Sequence, residues 1–196
     1  ANFSYGEAVA GSMGTPSPQY NVELRGRDGR PVPPGEAGEV VVVPENGRRP
    51  AGIFMAYLDA PEQYSRVWRG GVYHTGDAAY MDENGRFWFC GRFDDIIKTG
   101  GFRVGPGEIE NVLMEHPAVE ACSVVGVPDK LRGQAIKAFV LPESGCAPGP
   151  ALEHEIREFC NRRLAEYKWV RLIEFVDVMP RTISGKIRKN VLRSRT

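Results

Sequence analysis

The sequence predicts an α+β protein in which a β-rich piece precedes a smaller α+β piece. Two observations carry this. Alternating or β-branched segments broken by Gly and Pro fill the first half, and helical apolar spacing begins only after about residue 93. Residues 92–95 are the join.

Each element follows from its residues. Residues 19–24 alternate polar and apolar, and Arg27-Asp28-Gly29-Arg30 is a turn signal. Residues 39–43 (Glu-Val-Val-Val-Val) are a β-branched strand run. Pro31, Pro33, Pro34 and Gly35 interrupt before it, and Pro44 with Asn46-Gly47 after it. Residues 77–81, the Glu83-Asn84-Gly85 turn and residues 86–90 form a hairpin. Residues 108–116 then place Ile109, Val112 and Leu113 on one helical face, stopped by Pro117. Residues 121–127 and 135–141 read as strands. Leu152, Ile156, Phe159, Cys160 and Leu164 recur at helical spacing, and residues 171–176 return to a strand. Residues 145–150 are a loop. No internal repeat or low-complexity tract occurs.

The chain has 196 residues, enough for one domain or two small ones. Its 25 basic and 25 acidic residues cancel, so no global field draws it to nucleic acid or a membrane surface. The charge is uneven, with eleven Lys/Arg against four Asp/Glu over residues 157–196. That segment is either a solvated basic face or a docking surface for a polyanionic small molecule. Aromatics do not interleave with its basic residues in a nucleic-acid-like pattern, which argues against nucleic acid. Cys90, Cys122, Cys146 and Cys160 form no CxxC pair, against zinc and a disulfide framework and in favour of a reducing compartment: the cytoplasm, or an organelle matrix in a eukaryote. No apolar run of about 18 residues is present to span a bilayer, and no signal segment opens the chain. The loop-like start without Met reads as a fragment.

Three short segments carry the chemistry: Tyr73-His74-Thr75-Gly76-Asp77, Gly91-Arg92-Phe93-Asp94-Asp95-Ile96-Ile97-Lys98, and Pro180-Arg181-Thr182-Ile183-Ser184-Gly185-Lys186. A carboxylate after Thr-Gly at a strand end, Asp77, suits a ribose diol, the alternative being a turn cap. Arg92 suits a nucleotide or a surface ion pair with Asp94 or Asp95, the latter worth only ~0–1 kcal/mol. Asp94 stands at the join, as a hinge or an ordinary turn residue. The adjacent Gly100 and Gly101 permit close backbone approach or simply turn the chain. Lys186 follows a glycine, outside any G-x-x-x-x-G-K phosphate loop. It is a compact cation able to follow developing charge, or one more lysine of a basic tail.

In this order and spacing the motifs resemble the C-terminal third of the adenylate-forming acyl-CoA synthetases, above all the medium-chain and acetyl-type ligases. The likeness runs from Gly11-Ser12-Met13-Gly14 through Ile53-Phe54-Met55-Ala56-Tyr57 to the lysine motif. Tyr5-Gly6-Glu7 is followed by Ala8-Val9 where the family's upstream segment would read Thr-Glu, so it is coincidental; the family's Ser/Thr/Gly-rich phosphate loop is also missing. The resemblance implies a distorted barrel-like β subdomain over residues 1–93. After it, residues 94–196 would form a mobile α+β domain, a small sheet flanked by helices, pivoting at Asp94. It implies nucleotide contacts at Asp77, Arg92, Arg103 and Lys186, with Lys186 catalytic. Coenzyme A contacts are implied at Gly100, Gly101, Phe102 and Arg132, and near Asn161.

The implied activity joins a medium-chain, short-chain or aromatic carboxylic acid to ATP, then passes the acyl group from AMP to coenzyme A. Mg²⁺ is implied, its carboxylate expected upstream and none of its ligands within this chain. The fragment alone is expected to be inactive in adenylation. Acylation of Lys186 is expected to silence the enzyme. Alternatives are an adenylating enzyme with a carrier-protein or luciferase-like acceptor, and a non-catalytic binding module. The acid and the oligomeric state stay open. One departure stands out: relatives commonly read Ala-Pro-Tyr-Lys-Tyr-Pro-Arg, whereas residues 165–171 here lack both prolines.

Overall fold

The computed structural model describes residues 8–195, so Tyr5-Gly6-Glu7 lies outside the described residues. The chain divides into two compact units, Ala1–Asp94 and Asp95–Thr196.

The first unit is built on strands β1 (Asn21–Arg25), β2 (Gly38–Val43), β3 (Trp68–Arg69), β4 (Val72–Met81) and β5 (Phe87–Arg92), with one short helix, α1 (Pro61–Val67). The long β4 is central: β2 pairs along one edge, β3 and β5 share the other, and β1 lies outside β2. The β4–β5 turn is set by Asp82, whose Oδ1 accepts from the Asn84 and Arg86 amides and whose Oδ2 accepts from Trp88 Nε1 at 2.9 Å. These bonds, the Trp88 one foremost, hold the Asp82 carboxyl below the usual range. Leu24, Val40, Ala79 and Phe87 form the core. The barrel-like expectation is corrected. Among the described residues this is an open five-stranded sheet, with one two-residue strand and outer strands that do not pair with each other.

The second unit has the small sheet flanked by helices. Its elements are β6 (Ile97–Thr99), β7 (Phe102–Val104), α2 (Pro106–Met114), β8 (Val119–Asp129), β9 (Gly133–Pro142), α3 (Pro150–Asn161), β10 (Leu172–Phe175) and α4 (Lys189–Arg193). Strand β9 is central, antiparallel to β8 and parallel to β10, and β6 joins it at Thr99↔Gly133. Strands β8 and β9 are apolar on both faces because both are covered. Cys122, Val124, Ile136, Ala138 and Val140 pack with Ile109, Leu113, Ile156 and Cys160 of α2 and α3. The alternate residues Ala121, Val125, Val127, Ala135 and Phe139 pack with Val176, Met179 and Leu192. Glu110 of α2 ties three elements together, accepting from the Val124 amide at 2.7 Å and pairing with Lys189 of α4 at 2.8 Å.

Candidate active site

The Thr-Gly-Asp segment is a bulge. Strand β2 advances two residues, from Glu39 to Val41, while its partner β4 advances four, from Ala78 back to His74. Thr75-Gly76-Asp77 therefore stand opposite the single residue Val40, and side chains replace the broken ladder. The Thr75 hydroxyl donates to the Val40 carbonyl at 2.8 Å, and its Oγ1 accepts from the Asp77 amide at 3.1 Å. The Gly76 amide donates to Glu39 Oε1 at 3.2 Å. Asp77 thus emerges opposite Arg92 of β5, whose Nη1 donates to Asp77 Oδ1 at 2.6 Å and to the Thr75 carbonyl at 3.1 Å. Gly76 has φ +75°, and a Cβ there would lie 2.1 Å from Arg92 Nη2. Only glycine lets the guanidinium cross the strand at that point. Arg92 pairs with Asp77 and not with Asp94 or Asp95; the latter pairs with Arg193. Asp77 Oδ2 is bonded to no other group among the described residues, and its side chain is 40% exposed, which leaves the acceptor geometry a diol needs.

Glu39 was legible only as the head of a strand. It is buried, and its Oε2 also accepts from His74 Nδ1 at 2.8 Å and Arg69 Nη2 at 3.1 Å. Nearby, burial pushes the Tyr73 hydroxyl up, with Tyr57 and Asp77 adding to it and Arg92 opposing.

Lys186 sits on a braced loop. Arg181 and Ile187 face each other as an antiparallel bridge, the Thr182 amide donates to the Lys186 carbonyl at 2.8 Å, and Gly185 turns the chain at φ +84°. Thr182 Oγ1 accepts from the Lys186 amide at 3.1 Å, and Arg181 Nη1 donates to the Gly185 carbonyl at 2.9 Å. Lys186 itself is exposed, and no hydrogen bond or ion pair holds its ammonium among the described residues. Three other lysines of the unit are committed: Lys137 to Glu174, Lys168 to Glu108 and Lys189 to Glu110. Burial works against the Lys168 charge, but hydrogen bonds and attraction to Glu108, with Tyr167 adding, hold its ammonium above the usual range.

Gly100 and Gly101, at φ +55° and +86°, make the two-residue turn of the β6–β7 hairpin, and a Cβ on either would meet open space. Beside it Thr99, Gly100, Phe102, Arg132, Tyr167, Trp169 and Arg171 line, with Glu166, a concavity of about 310 Å³. Phe102 stacks on Tyr167 at 4.4 Å between centroids, and the Arg171 guanidinium lies 5.4 Å from the Trp169 ring. Asp129 Oδ1 accepts from the Leu131 and Arg132 amides at 2.9 and 2.8 Å, fixing the turn that carries Arg132. Those bonds, the Arg132 one foremost, lower the Asp129 carboxyl. Gly100, Phe102 and Arg132 are therefore brought together, Gly101 stands at the turn beside them, and Arg103 is exposed on β7.

The proline-free segment 165–171 is held another way. The Val170 amide, which a proline would lack, donates to Asn161 Oδ1 at 2.8 Å, and Asn161 Nδ2 donates back to the Val170 carbonyl at 3.3 Å. Both ends of the Asn161 amide are thereby committed to the backbone. Asp94 is exposed in a single 3₁₀ turn, Phe93–Asp95, at the boundary of the two units. Burial pushes the Cys122 and Cys160 thiols up to about 12 and about 11, unsuited to nucleophilic work. Among the described residues no group of three His, Cys, Asp or Glu could hold a metal ion, and no helix is long and apolar enough to cross a membrane.

An exposed carboxylate stands on a strand bulge of the first unit, and a braced loop of the second carries a lysine whose ammonium has no hydrogen bond or ion pair among the described residues. Residues 108–186 match the AMP-binding enzyme C-terminal domain, and the proteins the chain is similar to include acyl-coenzyme A synthetases and CoA ligases. It is 42% identical to the mitochondrial acyl-coenzyme A synthetase ACSM3 of Rattus norvegicus, over 98% of this chain and 33% of that protein. It is 46% identical to 4-hydroxybutyrate–CoA ligase 1 of Metallosphaera sedula, over 99% and 34%. Its structure matches the anthranilate CoA ligase AuaEII in complex with anthranoyl-AMP at a TM-score of 0.77 and 37% identity, covering 97% of this chain and 36% of that one. The chain spans about a third of the length of the curated relatives it matches.

Proposed function

We propose that this chain is the C-terminal part of an AMP-forming acyl-CoA ligase. A carboxylate oxygen attacks the α-phosphorus of ATP, the bond to pyrophosphate breaks, and an acyl-adenylate forms. The sulfur of coenzyme A then attacks the acyl carbonyl, and AMP leaves. Asp77 accepts the ribose hydroxyls and Arg92, held on its other oxygen, contacts ribose and phosphate. In the first step Lys186 meets the charge growing on the phosphoryl oxygens, stabilising the transition state more than the ground state. The observation that carries this reading is the exposed Lys186 ammonium, held by no hydrogen bond or ion pair among the described residues at the end of a hydrogen-bonded loop, whereas Lys137, Lys168 and Lys189 are tied to glutamates.

In the second step the chain pivots at Asp94, exposed between the two units, and the Gly100-Gly101 hairpin takes the place of the lysine loop. Arg103 then reaches the α-phosphate. The open space above both glycines suits a pantetheine arm, and the concavity beside them supplies Arg132 and Arg171 for phosphates and exposed rings for a base. Mg²⁺ finds no ligand cluster among the described residues, so no step here is assigned to it. Acylation of Lys186 would remove its charge and stop the first step. The compartment is reducing, the cytoplasm or an organelle matrix as for the mitochondrial relatives.

The test is a panel of medium-chain, short-chain and aromatic acids, assayed with the full-length protein for AMP release. Release that requires coenzyme A is expected. Release driven only by an amine or carrier-protein acceptor would overturn the assignment of the acceptor.

A further inference from the structure

We propose that Glu39 is a positioning residue for nucleotide recognition, one that locks the Thr75-Gly76-Asp77 bulge so that the Asp77 carboxylate meets the ribose in a fixed geometry. This rests on the reading of Asp77 as the ribose contact.

Glu39 is 4% exposed. A buried carboxylate is costly unless its lone pairs are filled, and this one is filled by donors from two other strands. Oε1 takes the Gly76 amide at 3.2 Å, while Oε2 takes His74 Nδ1 at 2.8 Å and Arg69 Nη2 at 3.1 Å. The donors stand on the residue before the bulge, in the bulge itself, and on β3 beyond it. Gly76 is the hinge of this bracket, since its left-handed backbone sets both the direction of Asp77 and the passage left for Arg92.

Satisfying one orphaned amide does not by itself call for a buried charge. The neutral Thr75 hydroxyl does that job for the Asp77 amide one residue further on. A carboxylate joined to three donors across β3 and β4 fixes orientation as well as satisfaction, and orientation is what a two-point contact to a diol requires.

The experiment is pyrophosphate exchange by the full-length protein with ATP, 2′-deoxy-ATP and 3′-deoxy-ATP, on wild type, Asp77→Ala, Glu39→Gln and the double variant. Glu39→Gln keeps the side-chain size and removes the charge. It should raise the KM for ATP about tenfold with kcat within about twofold, the worth of one charge-assisted hydrogen bond. It should also shrink the preference for ATP over the deoxy analogues, and add nothing once Asp77 is alanine. Should Glu39→Gln fail to fold, Arg69→Met loosens the same bracket from a side chain 53% exposed and should move KM and preference the same way, about threefold. An unchanged preference, or an equal further loss in the Asp77→Ala background, would show that the bracket is purely structural. If Asp77→Ala alone keeps the wild-type preference, the ribose contact itself is wrong.

Discussion

Replacing Gly76 by alanine tests whether the Asp77–Arg92 arrangement depends on a missing side chain. Two costs arise. Alanine must hold φ near +75°, which costs about 1–2 kcal/mol for a residue with a Cβ. Its methyl would also lie 2.1 Å from Arg92 Nη2 and 2.8 Å from Cζ, so the guanidinium must swing away and release Asp77. That pair is about half exposed and worth at most ~1 kcal/mol. Together the loss is about 1–3 kcal/mol of folding stability, read by guanidinium chloride unfolding, with a raised KM for ATP in the full-length protein. Gly76→Asn separates the two costs, because asparagine tolerates the left-handed region but carries the same Cβ. It should recover part of the stability and none of the KM. Wild-type stability and KM in Gly76→Ala would refute the reasoning.

Asp94→Pro fixes φ near −65° at the boundary of the units and should spare adenylation while stopping thioester formation, measured as separate half-reactions; equal rates in both halves would remove the hinge. Asp129 gives a pH prediction. Its folded carboxyl titrates below the ordinary aspartate value of about 4, so its hold on the 129–132 turn is complete above that value and is lost as pH falls through the lowered folded one. The Leu131 and Arg132 amide shifts should move with a midpoint below that of a free aspartate, and a midpoint at or above it would contradict the capping role.

Much of the fold was legible because its signals are local. The Asn84-Gly85 turn, the valine run ending in Val43 and the α2 and α3 spacings each lie within a dozen residues. Helix α2 begins at Pro106, two residues before the reading from apolar spacing, because a proline suits the first helical turn. The β6–β7 hairpin was missed since three-residue strands show no period, and its two glycines are there to turn as much as to admit a ligand. Helix α1 has no buried residue and hence no apolar stripe to read. Glu39 was invisible as a bracket, its donors lying 30, 35 and 37 residues away. The only sign was an acidic residue heading an apolar strand. Trp169 and Val170 appeared only as a departure from the family, and the structure gives them work: one lines the concavity, the other offers an amide to Asn161.

The most direct test is Lys186→Ala in the full-length protein, with the two half-reactions assayed apart. Pyrophosphate exchange should fall by about 10²–10³, while thioester formation from supplied acyl-adenylate and coenzyme A stays near wild type. Equal loss in both half-reactions, or undiminished exchange, would contradict the role given to this ammonium.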